Sequence, residues 1–120
     1  MALQIPPMVY PVTVFVELLS IAFDQAGRPR GLRATSWLRS SAANEQLLSL
    51  GAVRNSLHQK GLALDIVGPR AADGTPGPGL VALGGAWSRL GLDALFSAQG
   101  NLHLELDGSA LRRLGVSFKD

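Results

Sequence analysis

The sequence predicts an α+β fold, in which helices pack on one face of a small antiparallel sheet. Leucine or isoleucine recurs at every second position of Leu62–Val67 and of Leu102–Asp107, a period of two that is typical of strands with one buried face. Val12–Phe23 and Leu80–Leu90 instead repeat apolar residues at helical spacing, and a glycine follows each segment closely. We therefore expect a layer of helices against one face of the sheet, with the other face available for a site.

The remaining segments connect these elements. A Gly/Pro turn at Gly27–Gly31 leads into a predicted strand at Leu32–Leu38, and a helix is predicted over Ala42–Leu50. Gly68–Gly79 contains three prolines and four glycines, which indicates a surface loop beside the site. A short closing helix is predicted over Ala110–Leu114.

The composition predicts a single globular domain over residues 1–120. Hydrophobic residues make up 47% of the chain and charged residues 17%, which is enough apolar material for one core. Eleven Lys and Arg against nine Asp and Glu give a net charge of only +2, which does not favour nucleic-acid binding. A cluster of arginines has no interleaved aromatic residues, so we interpret it as a solvated loop and strand edge: Arg28, Arg30, Arg33 and Arg39.

The chain contains no cysteine, so a metal site would have to use histidine and carboxylate ligands. The most apolar stretch, Val12–Phe23, includes Glu17, is too short to span a bilayer and has no basic residue before it. We therefore expect neither a signal peptide nor a membrane anchor, and no membrane partner.

Both histidines of the chain lie on or beside a predicted strand that also carries a carboxylate. His58 is followed by Asp65, and His103 is followed by Glu105. A divalent metal site needs such residues, but an isolated histidine is more often a hydrogen-bonded structural residue. The residues alone leave both interpretations open.

Three segments resemble the zinc D-alanyl-D-alanine carboxypeptidase family, which includes phage L-alanyl-D-glutamate peptidases and shares a fold with the hedgehog signalling domain. Ser56–Ile66 reads SLHQKGLALDI and fits the family pattern S-x-H-x-x-G-x-A-x-D-[IV] throughout. Thr35–Ser40 reads TSWLRS and is similar to T-S-G-Y-R-S, with Asn44 following it. Leu102–Leu106 reads LHLEL and is similar to H-F-E-L, so the resemblance extends from about Leu32 to Asp107.

The resemblance implies a Zn²⁺ ion held by His58, Asp65 and His103. Three protein ligands leave a fourth position open, as in catalytic zinc sites, where the metal lowers the pKa of water to about 7 and polarises the scissile carbonyl. By the same resemblance, Arg39 would bind a carboxylate of the substrate and Ser56 would hydrogen-bond to it. A surface ion pair for Arg39 and a turn cap for Ser56 are the open alternatives.

The chain departs from the family at the general base, which usually lies three residues before the last histidine ligand. That position is Gly100, which has no side chain to accept a proton. Glu105 follows His103 by two residues, roughly 6.6 Å along a strand, and is our candidate for the catalytic base. It could equally orient His103 as a ligand. Asp93 and Asp107 are weaker candidates for the base.

We therefore expect a zinc-dependent peptidase that cleaves a peptide bond in the stem peptides of bacterial peptidoglycan. Both a D-Ala-D-Ala carboxypeptidase and a cell-wall endopeptidase, such as a phage endolysin, fit the ligand set. The alternative is a metal- and wall-binding module, or a structural part of a virion, that has lost the base. Without a signal peptide, we expect synthesis in the cytoplasm and action on the wall after lysis-associated release or from a virion.

Overall fold

The computed structural model describes residues 11–37, residue 57 and residues 62–115. Its four strands form one antiparallel sheet in the order β1-β2-β4-β3, and they span β1 (Arg33–Ser36), β2 (Ala63–Val67), β3 (Asp93–Phe96) and β4 (Leu102–Glu105). The described helices are α1 (Pro11–Gln25), α2 (Pro78–Arg89) and α3 (Gly108–Arg113). The predicted α+β class and antiparallel sheet are confirmed. The predicted helix over Ala42–Leu50 lies outside the described residues.

One face of the sheet packs against the helices. Alternation along β2 and β4 directs leucine and isoleucine side chains to this face, where they join apolar residues of all three helices. The buried members of this core are Phe15, Ala22, Leu62, Leu64, Ile66, Leu80, Leu83, Ala86, Trp87, Leu92, Leu102, Leu104, Leu106, Ala110 and Leu111. The prediction that these helices cover one face is therefore confirmed for the described residues.

Trp87 is one of the largest side chains buried in this core. Its ring is fully buried and meets Phe15 of α1 edge to face, with ring centroids 5.3 Å apart. Its indole Nε1 donates to the backbone carbonyl of Glu105 at 3.3 Å. Trp87 thus connects α1 and α2 to β4, the strand that carries His103.

Helix α2 approaches the sheet closely because of a glycine. A Cβ atom at Gly84 would lie 3.1 Å from Cδ1 of Leu102 and 3.5 Å from the Phe96 ring. A larger residue there would push α2 away from β3 and β4.

None of the described helices combines the length and the apolar character needed to cross a membrane.

Strand β4 ends earlier than the alternation predicts. The pattern continues to Asp107, but the strand ends at Glu105 and the Asp107 carboxylate accepts a hydrogen bond from Ala110 N at 2.8 Å. This is an N-cap, so Asp107 begins α3 instead of extending the sheet. The predicted closing helix exists, and it begins two residues earlier than expected.

Strand β3 was not predicted. Asp93–Phe96 has no clean alternation, and it forms a strand because it pairs along its length with β4. A turn closes this hairpin through bonds from Ser97 N to Asn101 O at 2.8 Å and from Gly100 N to Ser97 O at 2.9 Å.

Candidate metal centre

The register of β2 and β4 brings Asp65 and His103 together. The two residues are direct partners across the antiparallel ladder, so both side chains lie on the face of the sheet opposite the core, called the polar face below. His103 Nδ1 lies 2.6 Å from Asp65 Oδ1. The side chains are 29% and 33% exposed, so the pair is accessible to a ligand without being fully solvated.

Glu105 holds the other side of the same imidazole. Its Oε1 atom lies 3.0 Å from His103 Nε2, and its side chain is 30% exposed. Both ring nitrogens of His103 therefore face a carboxylate, and the ring orientation is fixed from both sides.

This environment raises the pKa of His103 above its usual value of 6.5. The largest cause is the hydrogen bond to Asp65, and the charges of Asp65 and Glu105 act in the same direction, whereas partial burial opposes them. The charged ring can donate to both carboxylates at once. In the absence of a metal, the protonated ring can donate from Nδ1 to Asp65 Oδ1.

The Asp65–His103 pair fits a divalent cation. Once the ring loses that proton, Nδ1 and Oδ1 offer one nitrogen and one oxygen on the same side, a ligand combination that zinc accepts. Two ligand atoms on a tetrahedral zinc stand roughly 3.3 Å apart, given metal–ligand distances of about 2.0–2.1 Å. The observed 2.6 Å separation would need to grow by less than about 1 Å.

The structure thus brings together two of the three predicted metal ligands. The third, His58, lies outside the described residues, as do Arg39 and Ser56. These three assignments remain predictions.

A group of carboxylates extends the polar face beyond His103. Asp93, Glu105 and Asp107 place ligand oxygens within 4.8 Å of one another, because the register pairs Asp93 with Glu105. Two of these carboxylates already have partners, since Asp107 caps α3 and Glu105 binds His103. Each of the three is a candidate base in the sequence, but their grouping depends on the unpredicted strand β3.

Gly100, at the usual position of the base, lies in the turn between β3 and β4. Its φ angle of 80° is in the left-handed region that favours glycine. A Cβ atom there would lie 2.5 Å from Nη1 of Arg70. A guanidinium group therefore lies beside the position where the family that the sequence resembles has an acid. Sequence reasoning missed Arg70 because it lies 30 residues earlier in the loop after β2.

Comparison with known proteins identifies a structural neighbour. No family model matches the chain, and no curated protein matches its sequence. The chain is similar to the crystal structure of the L-Ala D-Glu endopeptidase ChiX of Serratia marcescens, with a TM-score of 0.52 and 17% identity. The match covers 92% of this chain and 94% of ChiX. The chain therefore has the fold of an L-Ala D-Glu endopeptidase.

Proposed function

We propose that this protein is a zinc-dependent peptidase that cleaves a peptide bond in bacterial peptidoglycan. The observation that carries the proposal is the half-buried Asp65–His103 pair, with its 2.6 Å contact on the polar face of the sheet. This pair lies in a fold shared with an L-Ala D-Glu endopeptidase. Asp65 and His103 are also two of the three metal ligands predicted from the sequence motifs.

His58 is proposed as the third ligand. Leu57, the preceding residue in the sequence, packs against the core, and its carbonyl accepts a hydrogen bond from Leu62 N at 2.9 Å, next to the start of β2. Two imidazoles and one carboxylate form a ligand set that suits zinc. Zinc, when bound, supplies a Lewis acid for the scissile carbonyl and lowers the pKa of water at the site.

Glu105 is proposed to orient His103. Its carboxylate accepts from Nε2, which fixes the ring so that Nδ1 faces Asp65, as expected for a partner of a metal ligand. This contact supports the orienting role more than the role of general base. The variant Glu105→Gln separates the two roles. If Glu105 orients His103, the variant should bind zinc more weakly. If Glu105 is the general base, the variant should keep its zinc affinity but lose turnover.

The bond to test first is the one between L-Ala and D-Glu, because the structural neighbour is an L-Ala D-Glu endopeptidase. Release of D-alanine would instead identify a carboxypeptidase. In either case, we propose that Arg39 binds a substrate carboxylate and that Ser56 hydrogen-bonds to the substrate.

A second candidate function is a metal- and wall-binding module without catalysis. Gly100 favours it, since the turn offers no carboxylate at this position and holds the Arg70 guanidinium beside it. Such a protein would bind zinc and wall fragments but leave every peptide bond intact.

The deciding experiment incubates the protein with purified peptidoglycan fragments and zinc, and identifies the products by mass spectrometry. We expect split stem peptides with the wild type and with Arg89→Gln, which changes an exposed arginine in the last turn of α2. We expect no products with chelator or with His103→Ala. Intact fragments from several wall types, despite bound zinc, would exclude the peptidase and favour the binding module.

A further inference from the structure

Arg70 is held in place between two loops at one end of the sheet. Its Nη1 donates to the carbonyl of Gly74 at 3.1 Å, and its Nη2 donates to Asn101 Oδ1 at 3.2 Å. Asn101 is fixed in turn, because its backbone N–H donates to Ser97 Oγ at 3.1 Å. The guanidinium is thereby positioned beside the turn that leads into β4.

Arg70 forms no ion pair in the described part of the chain. The ion pairs described there are Arg28–Asp24 and the two contacts of His103. Asp73 lies near Arg70, but its Oδ1 accepts from both the backbone and the side chain of Thr75, and these bonds lower the pKa of Asp73. Both acceptors of Arg70 are neutral oxygens. Since a guanidinium has five N–H donors, several remain for an anion.

A cleft of about 480 Å³ lies next to this guanidinium, and its lining includes Arg70, Asp73, Pro76, Val81, Phe96 and Gly100. We call it the Arg70 cleft. Its walls are mainly apolar, and its volume lies in the usual range of small-ligand pockets. The glycine contributes directly, because a Cβ atom at Gly100 would lie 3.4 Å from Pro76 and closer still to Arg70.

The Arg70 cleft lies beside α2, since Phe96 pairs with the core residue Leu102 and lies against Gly84, whereas the Arg70 guanidinium is bonded to the chain that leads into the strand of the candidate metal centre. Asn101, the partner of Arg70, precedes His103 by two residues, which is roughly 6.6 Å along an extended chain. An extended peptide advances by the same distance over two residues. A peptide with its scissile bond at His103 and Asp65 can therefore extend to Asn101, to which the Arg70 guanidinium is bonded.

We propose that Arg70 binds a free carboxylate of the substrate peptide and selects an acidic residue beside the scissile bond. This inference rests on the proposed function, which it deepens. A glutamyl residue suits the position, because one of its two carboxyl groups stays free whichever of them forms the next peptide bond. The fixed fork recognises that carboxylate. Arg70 is thus a specificity-determining residue.

The test measures binding separately from cleavage. Zinc-loaded protein is titrated by calorimetry with an L-Ala–D-Glu stem peptide that is N-methylated at the scissile amide, and with the same peptide carrying an amide in place of the free glutamyl carboxylate. We expect the wild type to bind the acid form roughly 10- to 100-fold more tightly. Arg70→Gln should bind both forms with equal, weak affinity, whereas Arg89→Gln should keep the preference.

A wild type that does not prefer the acid, or an Arg70→Gln variant that keeps the preference, would overturn the inference. Asn101→Ala removes one tether of Arg70 but keeps its charge, so a reduced preference is expected; it also serves if circular dichroism shows that Arg70→Gln is unfolded. Cleavage of the unmethylated peptide is measured separately. Binding with acid preference but no cleavage would refute the proposed peptidase and leave the role of Arg70 intact.

Discussion

His103 and Leu104 are consecutive residues of one strand, yet they belong to different parts of the molecule. Leu104 is fully buried against the helices, whereas His103 is half-buried on the polar face between two carboxylates. The same division holds for Leu64 and Asp65 on β2, which are the direct ladder partners of these two residues. Because successive side chains of a strand point to opposite faces, adjacent residues can serve different purposes, one in the core and one in the candidate site. Substitutions on the buried face should therefore lower stability, and substitutions on the polar face should lower metal binding.

The largest expected effect on stability comes from the buried face. Leu104→Ala removes a side chain with 0% exposure and should lower the free energy of unfolding by about 2–5 kcal/mol. The matched control is Leu95→Ala on the polar face, where the side chain is 67% exposed and the loss should stay below about 1 kcal/mol. Urea unfolding of metal-free protein measures both. Equal losses would mean that the two faces are not divided as described.

The largest expected effect on metal binding comes from the polar face. Asp65→Asn preserves the shape of the side chain but removes the charge that pairs with His103, so zinc affinity should fall roughly 100-fold or more. Asp73→Asn alters an exposed carboxylate in the loop after β2 and serves as the control. Competition with a chromophoric chelator measures both affinities. An unchanged affinity in Asp65→Asn would place the metal elsewhere.

A smaller change is expected when the support of His103 is weakened. Glu105→Gln replaces the carboxylate that receives Nε2 with a neutral amide, and zinc affinity should fall by about 10- to 100-fold. The same chelator competition measures this loss beside that of Asp65→Asn. If zinc binding is retained while turnover disappears, Glu105 acts as the general base and the orienting role is wrong.

The smallest expected effect is a pH dependence of stability in the metal-free protein. Because folding raises the pKa of His103 above 6.5, the protonated ring stabilises the folded state fully below pH 6.5, and this contribution is lost as the pH rises through the raised pKa. His103→Gln should lack this component. Saturating zinc should reverse its sign, since protons and metal compete for Nδ1. Urea unfolding between pH 5 and 9 tests both statements, and a contribution from His103 that grows with pH in the metal-free protein would contradict them.

The sequence predicted elements whose periodicity is visible locally. Strands β2 and β4 and helices α1 and α2 could be recognised because apolar residues repeat along them. Strand β3 could not, since Asp93–Phe96 becomes a strand only through pairing with β4. The role of Asp107 was likewise decided by its capping bond to Ala110 and not by the alternation that reaches it.

The candidate site shows the same division. The motifs named Asp65 and His103 as ligands, but their direct contact depends on the register between strands that are 38 residues apart in the chain. The position of Arg70 beside Gly100 depends on the paths of two loops. Neither relation has a local signal in the sequence, whereas the resemblance of short motifs to a known family was enough to predict the ligands.

The central claim, that the polar face forms a metal site at Asp65 and His103, is tested most directly by a crystal structure of the zinc-loaded protein with an anomalous difference map at the zinc edge. We predict one strong peak bonded to His103 Nδ1 and to a carboxylate oxygen of Asp65, with His58 as the third protein ligand. A peak at Asp93, Glu105 and Asp107 instead, or no ordered zinc on the polar face, would contradict the account.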